Sequence, residues 1–304
     1  MLRWRLISAA AILAVLLALL WLDWQCLVFG TPGAWLLSVL LLICVLATAE
    51  VVSLLRAKNH QPLTAAVYFG NIAIPLAAAW PIVLHLAGRQ WPAMNELGMC
   101  GLPLLAVAGC VVLVLVCQMN RFQQPGTAIA GAALSVFAIV YVGLLISFWA
   151  LLRLYDGNEW GMTALFSMLL IVKMADTGAF ATGKIFGRHK LMPMLSPGKT
   201  WEGTLGGIAT ACIVSWLFFV YGAPAVVGTG YIVPPLWAMI VYGLLLAVAG
   251  MIGDLAESLL KRDMERKDSS TWLPGLGGVL DIIDAPLVAG PVAWACWTSG
   301  LLGP

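Results

Sequence analysis

Long apolar stretches recur along the whole chain, and their length restricts the fold more than any other feature. Each runs for about 20 residues, the length of helix that crosses a hydrocarbon core of ~30 Å. The stretches lack the strand-like alternation of apolar and polar residues that builds a membrane β-barrel. Only 10% of the 304 residues are charged, too few to cover the surface of a soluble domain. The sequence therefore predicts an all-α polytopic membrane protein.

We predict about nine transmembrane helices. We expect residues 1–160 to form a scaffold of transmembrane helices, because their spans contain almost no charge and their loops are short. Residues 161–304 are expected to form a catalytic transmembrane half with cytoplasmic loops, since charged residues enter the spans there. The predicted spans are Leu6–Leu22, Leu27–Thr48, Ala65–Gly88, Leu97–Met119, Ala128–Leu152, Gly161–Thr182, Thr204–Tyr221, Pro234–Ala256 and Val279–Ser299.

The distribution of Lys and Arg predicts the orientation of these spans. With the N-terminus in the cytoplasm, thirteen of the sixteen Lys and Arg residues fall in cytoplasmic segments. Arg89 and Arg153 fall on the opposite side, and Lys173 lies within a span. Cytoplasmic loops of membrane proteins carry such an excess of positive charge. The N-terminus is therefore predicted to be cytoplasmic.

Charged residues inside the later spans are the first indication of chemistry. Each costs roughly 2.5–3.5 kcal/mol to insert, so it usually faces a polar cavity or a partner. They occur in pairs three residues apart, a spacing that puts both side chains on one helical face. For the first pair, a mutual ion pair is an equally good explanation. The pairs are Lys173 with Asp176, Asp254 with Glu257, and Asp281 with Asp284.

The acidic residues of these pairs favour a metal site. Asp281 and Asp284 have no Lys or Arg within four residues, so the two carboxylates would repel each other. Mg²⁺ relieves such repulsion, since it binds one or two carboxylates together with waters and substrate phosphates. Protonation of one carboxyl, or capping of a helix start, would also explain this pair. With Asp176 and Asp254 entering from the same membrane face, we predict Mg²⁺ and leave a second cation open.

Two further segments carry groups suited to binding phosphate. In "SPGKTWEG", Pro197 and Gly198 are expected to form a turn that presents Lys199 and Thr200 to phosphate oxygens. The alternative is an ordinary capped helix start before the seventh span. Gly277 and the glycine after it could let the backbone approach a phosphate, or could form a tight turn. Acids and phosphate-binding groups at one membrane edge indicate phosphoryl or nucleotidyl transfer to a lipid.

A set of residues with fixed spacing begins just after the eighth predicted span and reaches into the ninth. Its members are Ser258, Lys261, Arg262, Lys267, Asp268, Ser270, Leu273, Pro274, Gly277, Gly278, Asp281 and Asp284. Together with the segments "GDLAES" and "SPGKTWEG", this set resembles the signature of the phosphatidate cytidylyltransferases, the CDP-diacylglycerol synthases. The resemblance covers residues 161–299. The chain departs from the signature at Leu276, where the family has His, and at Ile282, where it has Arg.

The resemblance implies that CTP and phosphatidic acid are converted to CDP-diacylglycerol and pyrophosphate in phospholipid biosynthesis. It implies Asp254, Asp281, Lys261 and Lys267 as catalytic residues. Asp284 and Asp176 would join the first two as metal ligands. It also suggests a homodimer in a bacterial inner membrane, with the active site facing the cytoplasm and no nucleic acid partner. The implied substrate-binding residues are Ser196, Lys199, Thr200, Glu202, Ser258, Arg262, Asp268, Gly277 and Gly278.

Other functional classes compete with this interpretation. A CTP-dependent polyprenol or lipid kinase would use similar groups but would release CDP. A non-catalytic lipid-binding relative would account for Leu276 and Ile282. An ion-coupled transporter would use Lys173, Asp176 and Asp254 as a relay, although the two halves show no internal repeat.

Overall fold

The computed structural model describes residues 14–15, 17–28, 30–58, 60–88, 98–123, 125–270 and 277–303. The described chain is almost entirely helical. A short antiparallel hairpin of β1 (Lys190–Met192) and β2 (Ser196–Thr200) is the exception. The helices are α1 (17–25), α2 (Ala34–Arg56), α3 (Thr64–Ala78), α4 (Trp80–Leu86), α5 (Gly98–Arg121), α6 (Ala128–Arg153), α7 (Gly157–Phe186), α8 (Trp201–Val227), α9 (Leu236–Asp263) and α10 (Leu280–Thr298).

Among the described residues, seven helices are long and apolar enough to cross a membrane. The pair α3 and α4 would make an eighth span, broken by a bend of 73°. Pro81 lies at the start of α4, where its ring fits the first turn but cannot continue the hydrogen bonds of α3. These elements correspond to the second through ninth predicted spans, whereas Leu6–Leu22 lies mostly outside the described residues. The helical polytopic architecture is thus confirmed, while the count of nine stays a prediction.

The chain divides into two compact units. One comprises Met1–Leu154 with Asp263–Ile282, and the other comprises Tyr155–Arg262 with Ile283–Pro304. The loop between α9 and α10 therefore belongs with the N-terminal helices. The predicted division of function at residue 160 stays a prediction.

In the first unit, the buried side chain of Asn71 makes polar contacts with two neighbouring helices. Helix α6 widens to a π-helix at Ile139–Leu144, which changes the partners of its backbone groups. The amide of Gly143 donates to Oδ1 of Asn71 at 3.0 Å, and Asn71 Nδ2 donates to Thr48 at 2.8 Å. A side chain on Gly143 would overlap Asn71, so this contact requires glycine. Buried Asn71 thereby links α2, α3 and α6.

A buried ion pair fixes the start of α2. Arg153 Nε donates to Oδ2 of Asp23 at 2.7 Å, and the two side chains are 2% and 1% exposed. The Asp23 carboxylate also accepts hydrogen bonds from the amides of Gly33, Trp35 and Leu36. These amides lie at the helix N-terminus, where the backbone has no partners of its own and favours a negative charge.

Removing the cation of this pair is expected to destabilise the protein. The variant Arg153→Met leaves the Asp23 carboxylate buried without its ion-pair partner, which typically costs about 3–5 kcal/mol. Arg121→Met removes an exposed cation from the end of α5 and serves as the matched control. Reversible unfolding in detergent measures the difference. A loss for Arg153→Met no larger than that of the control would contradict a structural role for the pair.

In the second unit, small residues let α7 and α8 pack closely. A Cβ on Gly203 would lie 2.9 Å from the Ala179 carbonyl oxygen, and one on Gly207 would lie 3.0 Å from that of Ala175. Glycines four residues apart form such a surface in membrane helices, where close backbone contact drives association. This face of α8 holds it against the half of α7 that carries Lys173 and Asp176.

The hairpin before α8 differs from the expected turn at Pro197 and Gly198. Both residues lie inside β2, and the turn occurs at residues 193–195 instead. The amide of Leu195 donates to the Met192 carbonyl oxygen at 3.2 Å and closes this turn. The prediction was wrong because Pro193, four residues earlier, makes the turn, which leaves Pro197 and Gly198 in the extended strand.

Candidate active site

Three acidic side chains of the second unit meet between α9 and α10. Asp254 and Glu257 lie one turn apart on α9, as their spacing predicts, and Asp284 faces them from α10. One carboxylate oxygen from each residue lies within 4.8 Å of the others. Glu257 and Asp284 are buried and Asp254 is partly exposed. Two carboxylates of the cluster are therefore shielded from solvent, and the third, Asp254, is accessible to it.

Lysine side chains offset part of this negative charge. Lys199 Nζ lies 2.7 Å from Oδ2 of Asp254, and Lys261 Nζ lies 2.9 Å from Oε2 of Glu257. Lys199 comes from β2, whereas Lys261 is one turn beyond Glu257 on α9. Glu257 thus forms an ion pair with a lysine of its own helix. Two lysines and three carboxylates thus form one charged group.

Asp176 and its neighbour lie close to this group. Lys173 Nζ is 3.5 Å from Oδ2 of Asp176 on α7, which is the mutual ion pair considered from the sequence. Asp176, Lys173 and Asp254 all interact electrostatically with Asp284. Acidic residues of three helices therefore share one region of the second unit.

Close contact between α9 and α10 brings Asp284 to the cluster. A Cβ on Gly253 would overlap the Asp284 carbonyl oxygen and lie 3.0 Å from Cα of Ala285. The absence of that side chain lets the two backbones touch beside Asp254. Asp284 is 7% exposed, and its Oδ1 accepts a hydrogen bond from the amide of Ala285 at 2.7 Å.

The cluster has the donor set of a divalent cation site. Carboxylate oxygens are the ligands that hard cations prefer. Mg²⁺–O bonds of about 2.0–2.1 Å put opposite ligands of an octahedron about 4.2 Å apart. The separations of up to 4.8 Å need only small side-chain rotations to reach that geometry. Asp254, Glu257 and Asp284 therefore fit a shared cation.

The "SPGKTWEG" segment has two structural roles in addition to presenting Lys199. Thr200 Oγ1 accepts a hydrogen bond from the Gly203 amide at 3.1 Å and caps α8, which is the alternative considered from the sequence. Glu202 accepts hydrogen bonds from the amides of Arg188 and His189, and its Oε1 lies 2.6 Å from the His189 ring. Ser196 begins β2. Glu202 thus holds the backbone before β1.

The remaining predicted residues divide between the two units. In the second unit, Ser258 is buried on α9, and Arg262 Nε donates to the Leu195 carbonyl oxygen at 3.3 Å. In the first unit, Lys267 and Asp268 are exposed. Of the first unit's candidates, Gly277, Gly278 and Asp281 form a compact network around the start of α10. Leu273, Pro274 and Leu276 lie outside the described residues.

The profile of the cytidylyltransferase family matches residues 3–299. The chain belongs to this family. Its relatives include a phosphatidate cytidylyltransferase of Mycobacterium bovis, which is 31% identical over 284 residues covering 88% of this chain and 81% of that protein. One of Haemophilus influenzae is 39% identical over 131 residues, 43% of this chain and 44% of that protein. One of Staphylococcus aureus is 35% identical over 184 residues, 60% and 63% respectively.

The structure places one buried acidic residue next to Asp281 that the sequence interpretation omitted. Glu50 lies in α2, in the half of the chain that was expected to contain no chemistry. It is 3% exposed, and its carboxylate contacts the residues that precede Asp281. The only indication of Glu50 in the sequence is that an acidic residue lies two positions beyond the end of the second predicted span. Its partners, however, lie more than 200 positions away in the sequence.

Proposed function

We propose that the chain transfers the cytidylyl group of CTP to phosphatidic acid, giving CDP-diacylglycerol and pyrophosphate. Two findings support this function: the family match over nearly the whole chain and relatives named phosphatidate cytidylyltransferase. The acidic cluster of Asp254, Glu257 and Asp284 is the observation that carries it, because these carboxylates would hold a cation beside two lysines. A reaction between a triphosphate and a phosphate monoester requires both kinds of group.

The proposed reaction is an in-line displacement at the α-phosphorus of CTP. A phosphate oxygen of phosphatidic acid forms the new P–O bond, and the bond to the β-phosphate breaks with its electron pair leaving on pyrophosphate. The attacking group is already an anion at neutral pH, so no strong base is required. The main demand on the protein is to hold two highly charged reactants together and to offset their charge.

Asp254, Glu257 and Asp284 would hold Mg²⁺, with Asp176 and Asp281 as the further predicted acids. When bound, Mg²⁺ supplies Lewis-acid stabilisation of charge on the transferring phosphoryl group. A second cation remains compatible with this number of acidic residues. Lys199 and Lys261 would exchange part of their contact with the carboxylates for contact with the triphosphate. Lys267 and Arg262 would add positive charge where the nucleotide enters from water.

The same proposal includes the membrane topology. We expect nine spans with the N-terminus in the cytoplasm and the active site on the cytoplasmic side of a bacterial inner membrane. Lys and Arg asymmetry supports that orientation. Phosphatidic acid would then arrive laterally through the bilayer, while CTP would arrive from the cytoplasm. A homodimer is part of the proposal on the basis of the family resemblance.

The reaction products test this function. Purified protein in phosphatidate-containing detergent micelles is given Mg²⁺ and CTP labelled at the α-phosphorus. We expect label in a chloroform-soluble liponucleotide, with one pyrophosphate released for each, and EDTA should stop the reaction. A lipid kinase would instead transfer label from the γ-position and release CDP. No liponucleotide with Mg²⁺ or Mn²⁺ would overturn the proposal.

A further inference from the structure

The carboxylate of Glu50 is a hydrogen-bond acceptor for the segment before α10. Oε2 accepts from the Ser269 hydroxyl and the Leu280 amide, both at 2.8 Å. Oε1 accepts from the Ser270 hydroxyl at 3.0 Å and the Val279 amide at 2.8 Å. Each carboxylate oxygen faces one backbone amide, which can only donate, so an acceptor is required at both oxygens. Glu50 thus holds both ends of the segment from 269 to 280.

Two of these contacts fix the first turn of α10. The amides of Val279 and Leu280 lie at the helix start, where they have no partners within the helix. A side chain of the same helix usually satisfies such amides, but here Glu50 of α2 does so. Negative charge is favourable at this position because of the helix dipole. The start of α10 is therefore anchored to a helix of the scaffold.

Asp281 is joined to Glu50 through Ser269. Oδ2 of Asp281 accepts hydrogen bonds from the Ser269 amide at 3.2 Å and the Gly278 amide at 2.7 Å. It also lies 2.6 Å from the Ser269 hydroxyl, whose single proton is shared between the carboxylates of Asp281 and Glu50. The contact to Gly278 resembles half of a capping box, in which an acid of the first turn reaches back to the preceding backbone. The hydroxyl of Ser269 touches both carboxylates. A displacement of Glu50 would therefore be transmitted to Asp281.

The two glycines make room for these carboxylates. A Cβ on Gly278 would overlap both oxygens of Glu50 and the hydroxyl of Ser269. Gly277 has φ +88°, which favours glycine, and a Cβ there would lie 2.5 Å from Oδ2 of Asp281. The glycine pair was interpreted from the sequence as a phosphate-binding or turn element. In the structure, the space left by the absence of side chains at Gly277 and Gly278 is occupied by the carboxylates of Asp281 and Glu50.

A second contact links the same helix end to the same loop. Lys58, which follows α2, lies 2.5 Å from the carboxylate of Glu265. This pair is exposed, so it contributes little to stability. The buried Glu50 network carries the attachment, and Glu265 provides a matched control on the same loop.

We propose that Glu50 is a positioning residue for the cytidylyltransferase reaction. It sets the start of α10 and, through Ser269, the orientation of Asp281, with Asp284 one turn further along the same helix. This inference rests on the proposed function for its effect on catalysis, but its effect on the loop stands independently.

The variant Glu50→Gln tests the role of the acceptor. In either orientation its amide nitrogen faces one backbone amide and one serine hydroxyl. The hydroxyl can rotate and accept, but the contact to the backbone amide is lost without a change of shape. We expect kcat to fall about 10- to 100-fold, as for other groups that orient metal ligands. The Mg²⁺ concentration giving half-maximal rate should rise about tenfold, a readout that general destabilisation would leave unchanged. Glu265→Gln should leave both quantities at wild-type values.

Hydrogen exchange separates the positioning role from the reaction. Amides of the peptide covering residues 277–283 should exchange at least about tenfold faster in Glu50→Gln than in wild type, whatever the activity. Faster exchange together with an inactive wild type would retain the anchoring role and overturn only the proposed function. An active wild type with unchanged kcat, Mg²⁺ dependence and exchange in Glu50→Gln would overturn the inference.

Ser269→Ala provides the test if Glu50→Gln does not fold. It leaves both backbone contacts of Glu50 and the amide contact from residue 269 to Asp281 intact, and it removes only the hydroxyl that lies between the two carboxylates. We expect a smaller loss, of about tenfold in kcat, with the same rise in Mg²⁺ requirement. Wild-type kinetics in Ser269→Ala would show that Asp281 does not depend on this link and would overturn the positioning role.

Discussion

Replacing Asp284 by Asn is expected to reduce cytidylyltransferase activity by about 10³-fold while leaving the fold intact. The substitution keeps the shape of the side chain but removes one of three carboxylates that would hold the cation. Metal stabilisation of the transferring phosphoryl group is worth several kcal/mol, and each 1.4 kcal/mol corresponds to about tenfold in rate. Asp284 is buried at 7% exposure, so water cannot easily replace the lost ligand charge.

Without Mg²⁺, the unfolding temperature of this variant should not fall, although its activity does. The buried carboxylate of Asp284 carries a desolvation cost and is repelled by Asp254 and Asp176, and Lys173 offsets only part of this when no metal ion is bound. Asn removes that cost, so the unfolding temperature in EDTA should equal or exceed that of wild type. Wild type should gain more stability than the variant when Mg²⁺ is added, because ligand binding to the folded state stabilises it.

Initial rates over a range of Mg²⁺ concentrations measure the effect, with melting temperatures recorded on the same preparations. Asp156→Asn is the matched control, since it makes the same change at an exposed position in the loop before α7. It should retain wild-type rate and wild-type response to Mg²⁺. Activity of Asp284→Asn within about threefold of wild type would exclude this carboxylate from the site.

Local sequence patterns were sufficient to predict the helices and much of the cluster. Hydropathy marks a span wherever about 20 apolar residues follow one another, and this rule placed the segments that became α2 through α10. The spacing of Asp254 and Glu257 predicted that they share a face of one helix, as observed. These predictions succeed because they depend on the 3.6-residue period of a single helix.

Contacts between distant segments could not be predicted in the same way. Nothing local indicates that Glu50 lies against Leu280, because their separation in the sequence is 230 positions. The choice of Asp254 with Asp281 as first ligands reflected the family resemblance. In the structure Glu257 and Asp284 join Asp254, and Asp281 belongs to the Glu50 network. The sequence likewise does not indicate that Gly253 must be glycine, because that requirement comes from the close contact of α10 with this part of α9.

The substitution Gly253→Ala is expected to reduce activity by about 10²-fold. The added methyl group would overlap the carbonyl oxygen of Asp284 and crowd Ala285. Backbone atoms cannot rotate away, so α9 and α10 must separate near Asp254. A displacement of about 1 Å at a reacting centre can cost 10²-fold in rate. The rate at saturating CTP and Mg²⁺ measures the loss.

Gly250→Ala separates this contact from a general effect of alanine in α9. Its Cβ would lie 3.2 Å from Cγ1 of Val172 and 3.5 Å from Cβ of Ala285, side-chain atoms that can adjust. Alanine also favours a helix over glycine by about 1 kcal/mol, so this variant should be at least as stable as wild type. Equal activity of the two variants would show that close backbone contact beside Asp284 is not needed for the reaction. A selective loss in Gly253→Ala would instead show that this contact sets the geometry of the acidic cluster.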